Sequence, residues 1–280
     1  MESNNRRPRP LDVVLEFGFT SWFSRAVSLT RAFRYLSAAG CTSVEIAAMP
    51  AYLSRGRQIS ESARANGMDV TAVGLGVPFL GDPKLSLHSR DGPVRRESVR
   101  YVGRSMDFAS GLGARIVYVC SVREEPKASR EEALGYFKDS LRACAEYAEK
   151  TGVILAIEQF PLGEIQTFEA ASDLVSEIGS KSFGVLLDTG HLAISGEAID
   201  KAVVRSRKTL KHVHINNNDG LSDLHWPPQR GKLTREDFLS FFLRLSESGY
   251  GGRASVELVN PRPIAKTLVG SVSYLQGIIR

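Results

Sequence analysis

The chain has 280 residues, 42% hydrophobic and 24% charged, which is enough apolar material for one large soluble domain. The formal net charge is +5, and Arg6, Arg7 and Arg9 against Glu2 supply +2 of it within the first ten residues. What is left is too weak to point to nucleic acid, and no run of about eighteen apolar residues exists to span a membrane.

Residues 1–10 carry two prolines and are predicted as a disordered, solvated tail, with residues 11–280 as one catalytic domain. Short β-branched runs then recur along the chain. The predicted strands lie at about 11–17, 43–47, 70–75, 115–120, 153–158, 183–188, 210–216 and 253–258. Most follow a segment of helical period and a glycine: Gly40, Gly67, Gly113, Gly152, Gly179 and Gly252. That order reads as a helix stopped by a left-handed glycine, a loop, and a buried strand. Eight such alternations in this length give a single (β/α)8 barrel. The rival, an open doubly wound sheet, needs a phosphate fingerprint opening a helix. Gly74-Leu-Gly76 and Gly111-Leu-Gly113 are read as decoys, neither opening a helix. The long irregular stretches, about 76–92, 121–130 and 217–232, all follow strands and belong on the catalytic face of a barrel.

In the second half, four strand runs each close on an acid or a histidine: Glu158 after VILAI, Asp188 after FGVLL, His214 after LKHV, and Glu257 after RASV. Each carboxylate alone could be a helix cap or a surface charge. Four on consecutive strand ends of a barrel aim at one point, and three carboxylates with one imidazole make a divalent-metal site. The donor mix suits manganese first, then magnesium or cobalt, with zinc as an alternative. His212 shares a strand face with His214, but His214 stands nearer the C-terminal end, so His212 is read as a core histidine.

Other residues keep two readings. Glu45 ends SVEIA as a structural ion pair or a polyol contact. His88 is read as a surface or helix-cap residue. Trp22, Phe23 and Trp226 follow strands and either pack on a sugar face or fill loops. The arginines of Pro93–Arg104 fall at helical spacing on a solvated face. Cys41, Cys120 and Cys144 include no Cys-x-x-Cys pair and are read as buried reduced thiols, which with the absence of a signal-peptide core favours the cytoplasm.

The segments ILAIEQF, LLDTGH, LKHVHINNNDG, DLHWPPQRGKL and ASVEL together resemble the xylose-isomerase-like TIM barrels, the sugar phosphate isomerase/epimerase group. The resemblance covers nearly the whole barrel and is most specific from Val153 to Leu258. It implies a metal-dependent isomerase or epimerase of a keto-sugar or related polyol. Its ketose 3-epimerase branch implies that Glu158 and Glu257 are metal-bound carboxylates exchanging the substrate proton from opposite faces. Asp188 and His214 would complete the ligands of one divalent ion. His191 would contact a substrate oxygen, and Glu164 would help hold the end of the sugar. Trp22 and His225 join them as substrate-side candidates. One departure stands out: those epimerases place an arginine six residues after the strand-seven histidine, where this chain has Gly220.

Two other branches give alternatives. A dehydratase of an inosose-like ketopolyol or a dehydroshikimate-like acid would use the same ligands. The dehydroshikimate enzymes carry Glu-x-His on strand five, whereas here Glu158-Gln-Phe160 stands. Asp223-Leu-His225 resembles a zinc-binding pair of the AP endonucleases, but their further histidines at the ends of strands three and four are missing. A second metal on His191, Asp223 and His225 stays open. The partner expected is a small sugar or polyol, with no nucleic acid and no membrane. A homo-oligomer or a partner-dependent subunit is left open.

Overall fold

The computed structural model describes residues 17–19, 28–120, 128–259 and 261–279. The strands are β1 (Phe17–Phe19), β2 (Ser43–Ala47), β3 (Asp69–Gly74), β4 (Ile116–Cys120), β5 (Ile154–Glu158), β6 (Phe183–Asp188), β7 (Leu210–Ile215) and β8 (Ala254–Val256). All pair in parallel, in the order β1-β8-β7-β6-β5-β4-β3-β2. β1 also touches β2, so the sheet curls into a nearly closed barrel. The first expected strand, 11–17, and the expected tail fall mostly outside the described residues.

Helices form the outer layer: α1 (Leu29–Ala38), α2 (Pro50–Leu53), α3 (Gly56–Ala65), α4 (Gly76–Gly81), α5 (Gly92–Leu112) and α6 (Arg130–Thr151), then α7 (Phe168–Ile178), α8 (Thr189–Ser195), α9 (Ile199–Ser206), α10 (Arg235–Ser248) and α11 (Ile264–Ile279). Gly40, Gly67, Gly113, Gly152 and Gly179 have φ between 69° and 81°, the left-handed stop that a side chain would disfavour. Gly252 is an exception. Gly249, at φ 74°, ends α10. The decoy reading of Gly76 also needs correction, because Gly76 does open a helix. That helix, α4, has only six residues and buries Val77, Pro78 and Phe79, so packing accounts for it.

Strand alternation sorts the side chains into two compartments. Val73, Val117, Val119, Leu155, Ile157, Val185, Leu187, Val213 and Ile215 face the helices in the main core. Ala72, Tyr118, Ala156 and Leu186 form a separate apolar cluster. Two residues on from Ala156 and Leu186, on the same strand faces, stand Glu158 and Asp188. The pattern of two thus carries apolar residues low in the barrel and acids at its C-terminal mouth.

All three cysteines are buried and unpaired, as expected. Arg96, Arg100 and Arg104 are exposed on α5, the latter two paired with Glu97. His88 is not at the surface. Leu85 and Leu87 are buried beside it, Ser140 of α6 donates to the Leu87 carbonyl at 2.6 Å, and the His88 ring meets Phe137 edge-on. The apolar leucines draw the segment inward and take the histidine with them.

Candidate metal centre

Glu158 and Asp188 are the last residues of β5 and β6, His214 is next to last in β7, and Glu257 directly follows β8. The register aligns Asp188 with His214, while Glu158 stands opposite Leu186 and Ser255 opposite His214, so the four neighbouring strands deliver their side chains in a stagger that converges at the C-terminal ends. One donor atom from each lies within 4.8 Å of all the others, and all four residues are buried. The His214 Nδ1 is the hub, 3.1 Å from Glu158 Oε1, 3.0 Å from Glu257 Oε2 and 3.9 Å from Asp188 Oδ2.

The ordinary role of a strand-end carboxylate is present as well. Asp188 caps α8, its Oδ1 accepting the His191 backbone N–H at 2.7 Å. Its second oxygen accepts from Asn216 Nδ2 at 2.6 Å. One carboxylate therefore starts a helix with one oxygen and faces the cluster with the other.

Burial and charge act against one another across the cluster. Burial pushes the Glu158 carboxyl up, against the pull of His214 and His191. Burial also acts upward on Glu257, but the charges of His214 and His225 outweigh it and hold that carboxyl well below the usual range. His214 is the converse: burial disfavours its proton, yet Glu257, Glu45 and Glu158 raise it well above an ordinary imidazole. Glu257 Oε2 is buried and, among the described residues, receives no well-aligned hydrogen bond. Three carboxylates thus surround one point and stabilise positive charge there.

A second cluster adjoins the first. Asp223 Oδ1 lies 3.3 Å from His191 Nε2 and 2.8 Å from His225 Nε2. His225 Nδ1 approaches Glu257 Oε2 at 3.4 Å, and His191 Nδ1 approaches Glu158 Oε1 at 3.7 Å. The donor atoms of His191, Asp223 and His225 also fall within 4.8 Å of one another. Burial opposes protonation of His191, but Asp188 and Asp223 prevail and bring it up to about 9. His225 has φ 44°, a left-handed backbone that aims its ring inward from the loop. An antiparallel bridge, Asn217 to Trp226, fixes that loop.

The sequence candidates therefore separate into groups. Glu158, Asp188, His214 and Glu257 converge, with His191 and His225 beside them. Glu164 is buried in the loop after β5 but belongs to neither cluster. Trp22 lies outside the described residues. Gly220 has φ 80°, and a Cβ there would meet Lys232 Cδ at 2.3 Å, so any side chain at this position is strained. Sequence reading overlooked Asn216, whose position two residues after His214 on the same strand face was the available signal. It grouped Asp223 with His191 and His225, and the structure places Asp223 between the two rings. It left Glu45 undecided, and Glu45 contacts both His212 and His214.

A family model described as the xylose isomerase-like TIM barrel matches residues 33–276. The chain belongs to this family. The chain is 27% identical to the inosose isomerase of Bacillus velezensis over 193 residues, 66% of this chain and 68% of that protein. It is 25% identical to the fructoselysine 3-epimerase of Escherichia coli O157:H7 over 172 residues, 60% of this chain and 62% of that one. The chain thus spans about two thirds of the length of these relatives. The solved structure of the zinc-bound IOLI protein superposes with a TM-score of 0.76 at 22% identity, covering 94% of this chain and 96% of that one.

Proposed function

We propose that the protein is a divalent-metal-dependent isomerase or epimerase of a keto-sugar or related polyol. The observation that carries this is the convergence of Glu158, Asp188, His214 and Glu257 within 4.8 Å at the C-terminal mouth of the barrel. The activities of the inosose isomerase and fructoselysine 3-epimerase relatives, and the zinc of the IOLI protein, support the same reading.

The donor set fits a divalent cation. Three buried carboxylates repel one another unless a positive charge sits among them, and Glu257 Oε2 is an acceptor still lacking an aligned donor. We assign the four residues as its ligands, with manganese as the native ion because oxygen donors outnumber the single imidazole. When bound, the cation supplies Lewis-acid polarisation of a substrate carbonyl and its neighbouring hydroxyl.

The chain's own residues do the rest. Glu158 and Glu257 come from β5 and β8, the outer two of the four strands, so they approach a substrate from two sides. Each can take a proton from the carbon α to a carbonyl or return it. Return to the opposite face of that carbon inverts it, and return to the neighbouring carbon moves the carbonyl. His191, held by Asp223, donates to a substrate oxygen. Phe160, edge-on to His191, narrows water access to that side.

Metal analysis followed by a solvent-deuterium screen over ketoses and inososes tests this. Deuterium should enter at a carbon α to a carbonyl. Glu158→Gln and Glu257→Gln, saturated with metal, should each lower turnover about 10²–10⁴-fold. If both still exchange the α-proton at the parental rate, they are ligands alone.

A further inference from the structure

We propose that Glu45 is the positioning residue of this centre, fixing the ring of His214 so that Nδ1 offers its lone pair to the metal. The inference rests on the metal reading above.

Glu45 sits mid-strand in β2, between Val44 and Ile46, which face the helices. Alternation therefore sends its carboxylate into the barrel, where it is buried. From there it crosses to β7, a strand that β8 and β1 separate from β2 around the ring. Its Oε1 meets His212 Nε2 at 2.5 Å, and its Oε2 meets His214 Nε2 at 3.2 Å. A carboxylate accepts and does not donate, so each of these nitrogens carries a hydrogen.

The consequence falls on His214. With the hydrogen on Nε2 held by Glu45, a cation entering among the acids displaces only the hydrogen on Nδ1, and the lone pair left there faces it. Nδ1 is the nitrogen that faces Glu158, Asp188 and Glu257. The carboxylate behind the ring thus selects the tautomer that a cation requires, sets the ring's direction, and makes the nitrogen more basic. His212 holds the other oxygen, so Glu45 cannot swing away from His214 without losing a buried partner. Tyr118 packs edge-on against His214, with ring centroids 4.9 Å apart, and limits its tilt from another side. This arrangement also resolves the two readings of Glu45. It is an ion pair in form, and its position makes it part of the centre's architecture.

Two measurements test the proposal, with Mn²⁺ itself as the probe. In Glu45→Gln the side-chain amide must turn its NH₂ towards one of the two Nε2 atoms, which disturbs the tautomers. Titration of the folded variant should show Mn²⁺ binding weakened about ten- to a hundredfold. Affinity within twofold of the parent would overturn the proposal while leaving the metal reading intact. A parent protein that binds no Mn²⁺ would instead remove both. The second measurement needs no variant. In cadmium-loaded parent protein with nitrogen-15-labelled histidine, the metal spin should couple to Nδ1 of His214, with a hydrogen retained on Nε2. Coupling to Nε2 would overturn the proposal.

Discussion

Replacing Gly190 by alanine is a sharp test of how the centre is built. Gly190 lies in the short helix α8, where alanine would ordinarily be favoured by about 1 kcal/mol. Here the sign should reverse. A Cβ on residue 190 would stand 1.8 Å from Asn216 Oδ1 and 3.0 Å from Asn218 Nδ2. Bringing the Asn216 oxygen out to even 3.0 Å needs a shift of about 1.2 Å. The same amide donates to Asp188 Oδ2 at 2.6 Å, and Asn218 Nδ2 donates to the Gly190 carbonyl at 2.8 Å. A shift of that size breaks the bond to Asp188, and a hydrogen bond to a charged group is worth about 1.5–3 kcal/mol. Net of the helix gain, Gly190→Ala should destabilise the protein by about 0.5–2 kcal/mol, a fall in Tm of about 1–8 °C. It should also free Asp188 to rotate and so weaken metal binding by about tenfold, since 1.4 kcal/mol is one decade. Thermal unfolding in chelator and Mn²⁺ titration of the folded variant give both numbers. A variant as stable as the parent, with equal affinity, would refute the claim that Asn216 holds Asp188 in place.

Three further outcomes are expected. Divalent metal at a hundred times its Kd should stabilise the protein by about 2.7 kcal/mol, and chelation should reverse this, read as the shift in Tm with and without ion. His191→Ala should cut turnover more than metal content, because His191 stands beside the four proposed ligands and not among them. Stoichiometric metal loss in that variant would make it a ligand. The thiols should resist modification in the native state. Burial pushes Cys41 and Cys144 up to about 12, leaving roughly one part in ten thousand as thiolate at pH 8. A folded thiol raised above its free value favours the native state below pH 9, and that contribution falls as pH rises towards 12. Fast labelling at pH 8 without unfolding would contradict the buried placement.

The strands were readable because their signals are local. A glycine that stops a helix and a β-branched run that buries a strand both sit within a dozen residues, and the positions of the four strand-end side chains inherit that clarity. What escaped depends on closure of the ring. Nothing near Glu45 in sequence shows that it will meet His212 and His214, 167 and 169 residues away. Asn216 was hidden by type, since an asparagine after a strand reads first as a turn residue. His88 was misread because a polar residue just after Leu85 and Leu87 follows them inward. Gly76 was misread because α4 is shorter than the periodicity that marks a helix.

The four converging side chains come from β5 to β8, an unbroken half of the barrel running from residue 158 to residue 257. An ion gripped there is a clasp across strands that the backbone joins only through long helical excursions. Its protection against transient opening will be unevenly shared. Amide hydrogens of β5, β6, β7 and β8 should exchange with solvent more slowly once the ion is in place. Those of β2, β3 and β4 gain only what global unfolding transmits to them. The barrel is symmetric in outline, but with metal bound its two halves should breathe at different rates.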